Sequence, residues 1–354
     1  MVFCTGWYEY YVMADSPFFA SPYIAVAIEP WIMPVLFCIS GISTRFALQK
    51  RTPGYYLKER AVKLILPFLA GLVILCPIIA YYSLKFHTGY TGSFAWAFAY
   101  FFGSIGNLQE SPAGVLGGFS VDHLWFLLFL FIISTVALGM ILLAQRIAGC
   151  GSRELSKGNT ILILILLFIP VWFLNMAGVN VAGYSLLSYL LLFLAGYYLF
   201  PRDPVQEWLG NTWYALIAVW MALTAVVMWI WGMLLGNGAV FWGSSPFYVL
   251  TGWAGVLAFM GAGRRFLNFS TRFTEYLGAA SYPVYLLHMP ILVAIAFYVV
   301  KLDIPLSLQF VSVMVLSFLM TFACYEILKR LPIVRVLFGI HGQKRTTANQ
   351  KSGS

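Results

Sequence analysis

The chain of 354 residues is 61% hydrophobic and only 9% charged, against roughly 45–50% and 25% in soluble domains. A chain of this composition cannot cover itself with polar surface, which excludes a soluble multi-domain protein. Its net charge of +9 does not call for a nucleic-acid partner, because the basic residues sit in short loops between apolar runs rather than in one stripe.

A bilayer core of ~30 Å needs about 20 residues of helix to cross it, and apolar runs of that order recur from Trp31 to Glu326. The strands of a closed barrel would alternate apolar and polar residues. The stretch 124–133 (LWFLLFLFII) shows no such alternation. The expected fold is therefore an all-α integral membrane protein, a polytopic bundle of about nine helices with lipids as its surroundings. Spans are predicted near 31–48, 61–84, 123–145, 160–177, 183–200, 212–235, 247–263, 282–300 and 307–328.

Taken in order, residues 1–30 carry Glu9 and Asp15 but no basic residue and no continuous apolar core, so they do not read as a signal peptide. The first span follows, and Arg60 and Lys63 open the second. Three residues apart, these two share one helix face. They read either as an anchor whose side chains reach the headgroups or as a paired cation that grips the phosphates of a cytosolic substrate.

The aromatic run 94–105 is too short to cross, so a re-entrant or interfacial segment is predicted there. Pro112, Gly114, Gly117 and Gly118 mark the rest of the loop as irregular. Asp122 and His123 open the third span at its outer end, with Ser120 available as a cap. A capped helix with an interfacial imidazole is one reading, and a proton-exchanging His beside a polar acceptor is the other.

In the eighth span His288 lies a turn or two from the cytoplasmic end, two residues before Pro290. Pro290 cannot donate to the Leu286 carbonyl and is expected to kink the helix, opening backbone to His288. A hydrogen bond between helices is the plainer account of that imidazole. Glu326 is expected to pair with Lys329 or Arg330. The tail 341–354 is predicted to be disordered, and residues 31–330 to form one membrane domain.

Of the 21 basic residues, all but Lys85 and Lys301 fall at the cytoplasmic ends of an alternating topology. The C-terminus is thus assigned inside and residues 1–30 outside. An outside start implies either a further span before Met1 or translocation of the short acidic N-terminus by the first span, and the former is the expectation. Five Cys is an odd number, with Cys38, Cys76 and Cys324 in apolar runs and Cys150 in a basic loop, so packing roles rather than a disulfide framework are expected. No phosphate loop, dinucleotide fingerprint, zinc spacing or nucleophile elbow occurs, and no metal is expected.

Four segments in order nonetheless resemble one family: 37–41 (FCISG), 56–67 (YLKERAVKLILP), 123–127 (HLWFL) and 281–288 (SYPVYLLH). Together they resemble the acyltransferase 3 family, bacterial membrane O-acyltransferases that include O-antigen acetylases and the protein that succinylates periplasmic glucans. The resemblance, over residues 31–330, implies a ten-helix enzyme of the cytoplasmic membrane. Such an enzyme takes an acetyl or succinyl group from cytoplasmic acyl-CoA and delivers it to a hydroxyl of an extracytoplasmic carbohydrate or lipid-linked glycan.

On this resemblance Arg60 and Lys63 stand where the family has two Arg, the donor-binding positions, and Lys63 lacks the bidentate fork. The family's first helix carries an Arg and, eleven positions later, a catalytic His. Neither residue type occurs in 1–30, which leaves His123 and His288 as the catalytic candidates within this chain. The competing readings are a membrane transporter or lipid-handling protein, whose aromatic loop 86–120 and kinked helices would line a path, and an inactive homologue with a binding role.

Overall fold

In the computed structural model of the chain the described residues are 11–14, 18, 20–105, 116–147, 156–177, 180, 181, 184–234 and 245–339. Residues 1–10, Asp15, Pro112, Gly114, Cys150 and the tail 341–354 lie outside them. Among the described residues eight helices are long and apolar enough to cross a membrane, and the chain is a multi-pass helical membrane protein.

Helix α1, Ser21–Lys50, begins ten residues before the predicted span. Glu29 and Pro30 break the apolar window there, yet the helix runs through both Pro30 and Pro34, because neighbouring helices support it. Helices α2 (Pro53–Ile74) and α3 (Cys76–Thr88) form the second crossing. They part at Leu75, where Pro77 supplies no donor to continue the ladder.

Within the predicted short segment 94–105 stands the ten-residue α4, Phe94–Gly103, and the Ser93 hydroxyl accepts from Trp96 N at 3.3 Å. A 3-10 turn at Asp122–Leu124 leads into α5, Trp125–Ile147. The next crossing, α6 (Lys157–Leu166) with α7 (Phe168–Ala177), is likewise broken, at Leu167 ahead of Pro170. A two-residue antiparallel pairing of β1 (Asn180–Val181) with β2 (Tyr184–Ser185) then reverses the chain into α8, Leu186–Tyr198.

The predicted span 183–200 is therefore a 13-residue helix, ~20 Å long at 1.5 Å per residue and short of a full crossing by itself. Helices α9 (Asp203–Leu234), α10 (Pro246–Phe266), α11 (Arg272–Val299) and α12 (Leu306–Leu328) follow, with α13 (Pro332–Leu337) beyond them.

Helix α1 is the hub, packing on α8, α10, α9 and α2. Small residues allow this closeness, as they do between membrane helices generally. A Cβ on Gly41 would lie 2.0 Å from Phe193 O, one on Gly196 2.1 Å from Cys38 O, and one on Gly252 2.4 Å from Pro30 O. The backbones of α1, α8 and α10 are thus in direct contact. Phe37 and Cys38 are fully buried beside Gly41, so the 37–41 segment is the seam of the α1–α8 pair.

The basic ends converge on one end of the bundle. Arg45 donates to Tyr197 O at 3.2 Å, Lys157 to Glu207 at 2.7 Å, and Tyr276 donates to Glu326 Oε1 at 2.8 Å while Lys329 pairs with that carboxylate at 2.5 Å. The Glu326 pairing is the one expected from the sequence. At the opposite end Lys301 sits 3.6 Å over the Phe297 ring, and Lys85 lies 5.9 Å from the same ring centre.

Candidate functional site

The site is built where the loop ahead of α5 descends between helices. Gly117, with φ of 79°, lies against α3, where a Cβ would stand 2.8 Å from Leu84 Cβ. The Phe119 amide donates to Ser104 Oγ at 2.7 Å. These contacts carry the chain inward, so α5 starts deep in the bundle.

Asp122 then takes a left-handed conformation, φ 44°, which Asp tolerates better than most residues. Its amide donates to Ser120 Oγ at 3.1 Å, a local turn contact, while the N-cap of the 3-10 turn is Val121. The Asp122 carboxylate accepts from Tyr11 OH at 2.5 Å and also meets the Ser120 hydroxyl and the Cys76 thiol. Three donors from the N-terminal segment, the loop and α3 hold this turn. Leu124, fully buried, locks it from below against α2, since a Cβ on Gly71 would reach Leu124 Cδ1 at 2.8 Å.

Held in this way, His123 faces α11. Its Nε2 lies 2.9 Å from Leu286 O, and Tyr285 OH donates to the His123 carbonyl. His288 Nδ1 lies 2.5 Å from Tyr285 O, one turn back on its own helix. The two imidazole centroids are 5.4 Å apart with ring planes at 79°, and the Tyr285 ring stands 5.7 Å from the first and 5.8 Å from the second.

Backbone carbonyls only accept, so these contacts assign the protons. His123 carries its proton on Nε2 and His288 on Nδ1. Each neutral ring then presents its other nitrogen as a lone pair. His123 Nδ1 is buried and has no hydrogen-bond partner among the described residues. A buried unpaired nitrogen is costly in an apolar interior, and this one keeps its lone pair inside the bundle.

His123 stands at the start of the candidate span Asp122–Ile147 and pairs with Leu286 near the middle of the 28-residue α11. Helix α11 begins at Arg272, ten residues before the predicted span, so His288 lies past the midpoint of the helix. The carbonyl that Pro290 leaves unbonded is taken by His123, not by His288.

Arg60 and Lys63 lie on α2 below this pair. Arg60 donates to Thr44 Oγ1 at 3.2 Å and stands 5.4 Å over the Tyr56 ring, while Thr44 and Tyr56 share a hydrogen bond of 2.8 Å. Lys63 pairs with Glu59 at 2.7 Å, and Arg51 meets the same carboxylate. Tyr282 OH donates to Lys63 O at 2.8 Å, tying α2 to α11 one turn before Leu286. Along α2 the eight residues from Lys63 to Gly71, the contact of Leu124, span ~12 Å. The basic pair thus lies about 12 Å along α2 from the level of the His123 turn.

Sequence reasoning missed Tyr11, Tyr285 and Cys76 as members of the site. Tyr285 stands inside the 281–288 segment and was legible as part of it. Nothing local marks Tyr11, whose contact with Asp122 bridges more than a hundred residues.

A family model described as an acyltransferase domain matches residues 3–326, a stretch that contains every residue of the site from Tyr11 to His288. No curated protein and no solved structure matches the chain. The paired imidazoles and the family match over most of the sequence lead to one assignment: the chain belongs to the acyltransferase 3 family and is a membrane acyltransferase.

Proposed function

We propose that the protein transfers an acyl group of the acetyl or succinyl class from cytoplasmic acyl-CoA to a hydroxyl of an extracytoplasmic carbohydrate or lipid-linked glycan. The bacterial cytoplasmic membrane is its location, and the basic end of the bundle, with the C-terminus, faces the cytoplasm. The observation that carries this reading is the His123–His288 pair, two neutral imidazoles 5.4 Å apart with a lone pair left on each.

In the reaction the acceptor O–H loses its proton to an imidazole nitrogen as its oxygen attacks the thioester carbonyl carbon. The C–S bond then breaks, and the departing thiolate takes the proton back. The base is thereby regenerated and no redox partner is needed. His123 Nδ1 is the proton acceptor, being buried and without a partner among the described residues, and the His288 ring stands 5.4 Å away. Arg60 and Lys63 hold the donor's phosphates at the cytoplasmic level, from which an extended pantetheine arm climbs the ~12 Å to the imidazoles.

Membrane vesicles from cells expressing the chain, supplied with acetyl-labelled acetyl-CoA on the cytoplasmic face, test the reading. Label is expected in the glycan fraction, and a general base contributes 10²- to 10⁴-fold, so His123→Ala should lower transfer by about 10²-fold or more. Equal labelling by wild type, His123→Ala and His288→Ala vesicles would remove both histidines from the chemistry.

A further inference from the structure

The Leu286 carbonyl belongs to a helix, and in an uninterrupted helix it would accept from the amide of residue 290. Residue 290 is Pro, buried within α11. Proline has no N–H, and its ring crowds the carbonyl four residues back and tilts it off the helix axis. The carbonyl so released is the one that His123 Nε2 reaches at 2.9 Å.

We propose that Pro290 is a positioning residue for His123: by withholding the helix donor from Leu286 O, it reserves that carbonyl for the His123 Nε2–H and so fixes Nδ1 as the lone-pair atom. The inference rests on the proposed role of His123 for its catalytic meaning but not for its geometry. The opposite tautomer would turn two lone pairs, Nε2 and Leu286 O, against each other at hydrogen-bond distance, and would bury a proton on Nδ1 with no acceptor among the described residues.

Tyr285 works in the same direction. Its hydroxyl donates to the His123 carbonyl, so α11 grips the residue through both backbone and ring. The turn itself is pinned from the other side by Tyr11, Ser120 and Cys76 on Asp122. His123 is therefore fixed in position by its neighbours and fixed in tautomer by a gap in the α11 ladder that proline makes. The converse also follows: any residue with an N–H at position 290 offers Leu286 O a donor from its own helix, and the imidazole loses its exclusive acceptor.

Nitrogen NMR of the full chain in detergent micelles, with ¹⁵N-labelled histidine and a His123→Gln variant to assign the resonance, tests the proposal. The sequence contains four His, so the spectrum is simple. The wild type is expected to show His123 protonated at Nε2. Pro290→Ala and Pro290→Ser should each move it to an averaged or Nδ1-protonated state. Pro283→Ala, which restores a donor elsewhere in α11, should leave it unchanged.

An Nδ1-protonated His123 in the wild type, or an unshifted signal in both position-290 variants, would overturn the proposal. So would an equal shift in Pro283→Ala, which would make the effect a general response of the helix. Labelled-acetyl transfer supplies a separate readout, in which Pro290→Ala is expected to lower kcat at least about tenfold with the donor KM unchanged. A shifted tautomer with undiminished transfer would keep Pro290 as the determinant of the tautomer and would instead remove His123 as the base.

Discussion

Arg60 makes its contacts with Thr44 and the Tyr56 ring, neither of which neutralises it, whereas Lys63 shares Glu59 with Arg51. The guanidinium is therefore fixed in direction and makes no direct ion pair among the described residues, with Glu59 acting on it only at longer range, a state suited to meeting a phosphate. Charge-assisted hydrogen bonds contribute on the order of 1.5–3 kcal/mol each when geometry is good. Replacing both side chains, Arg60→Gln with Lys63→Gln, should weaken acyl-CoA binding at least about tenfold, at ~1.4 kcal/mol per decade. A pure topology anchor predicts otherwise, since Lys50, Arg51 and Lys58 would still orient the helix. Equilibrium binding of a nonhydrolysable acyl-CoA, measured on correctly inserted protein, separates the two, and unchanged affinity in the double variant defeats the donor-site assignment.

Helix packing around the site depends on glycines that face backbone, and this can be isolated by making one substitution in two places. At Gly196 an added methyl meets the Cys38 carbonyl at 2.1 Å, while at Gly139, exposed on α5, it meets nothing within 4 Å. Gly196→Ala must therefore push α8 from α1, and overpacking of this kind costs about 1–3 kcal/mol. Gly139→Ala gains helix propensity of up to ~1 kcal/mol. Thermal unfolding in detergent should move in opposite directions for the two variants. A Gly196→Ala protein as stable as wild type would mean that the α1–α8 seam is looser than the direct backbone contact implies.

For the molecule as a whole the charged ends define an axis. Arg45, Lys157 and Lys329 gather at one end through contacts between different helices, and Lys85 and Lys301 meet over Phe297 at the other. Positive residues favour the cytoplasmic side, so a single cysteine at Gly54, in an otherwise cysteine-free chain, should react with a membrane-impermeant reagent only from inside. One at Thr91, between α3 and α4, should react only from outside. The reverse pattern would invert the donor and acceptor sides of the proposed reaction while leaving the bundle unchanged.

Hydropathy alone determined the class of fold, because a run such as 124–133 has no stable place in water, and its length matches the bilayer. It also marked the short α4 and the charge axis, since both are local properties of composition. Where it erred, proline was the reason: a window average ends α1 at Glu29 and Pro30, whereas packing against Gly252 carries the helix through them. Hydropathy marked His123 as the opening of an apolar run, but the contacts of the loop at Gly117 and the cage around Asp122 are what turn it against α11. The sequence linked Pro290 to His288 and not to His123, and presented Tyr11 as no feature at all. Only the tertiary structure brought them together, because hydrogen bonds from Tyr11 to Asp122 and from His123 to Leu286 join residues distant in the chain, and no local pattern encodes which carbonyl a given imidazole will find.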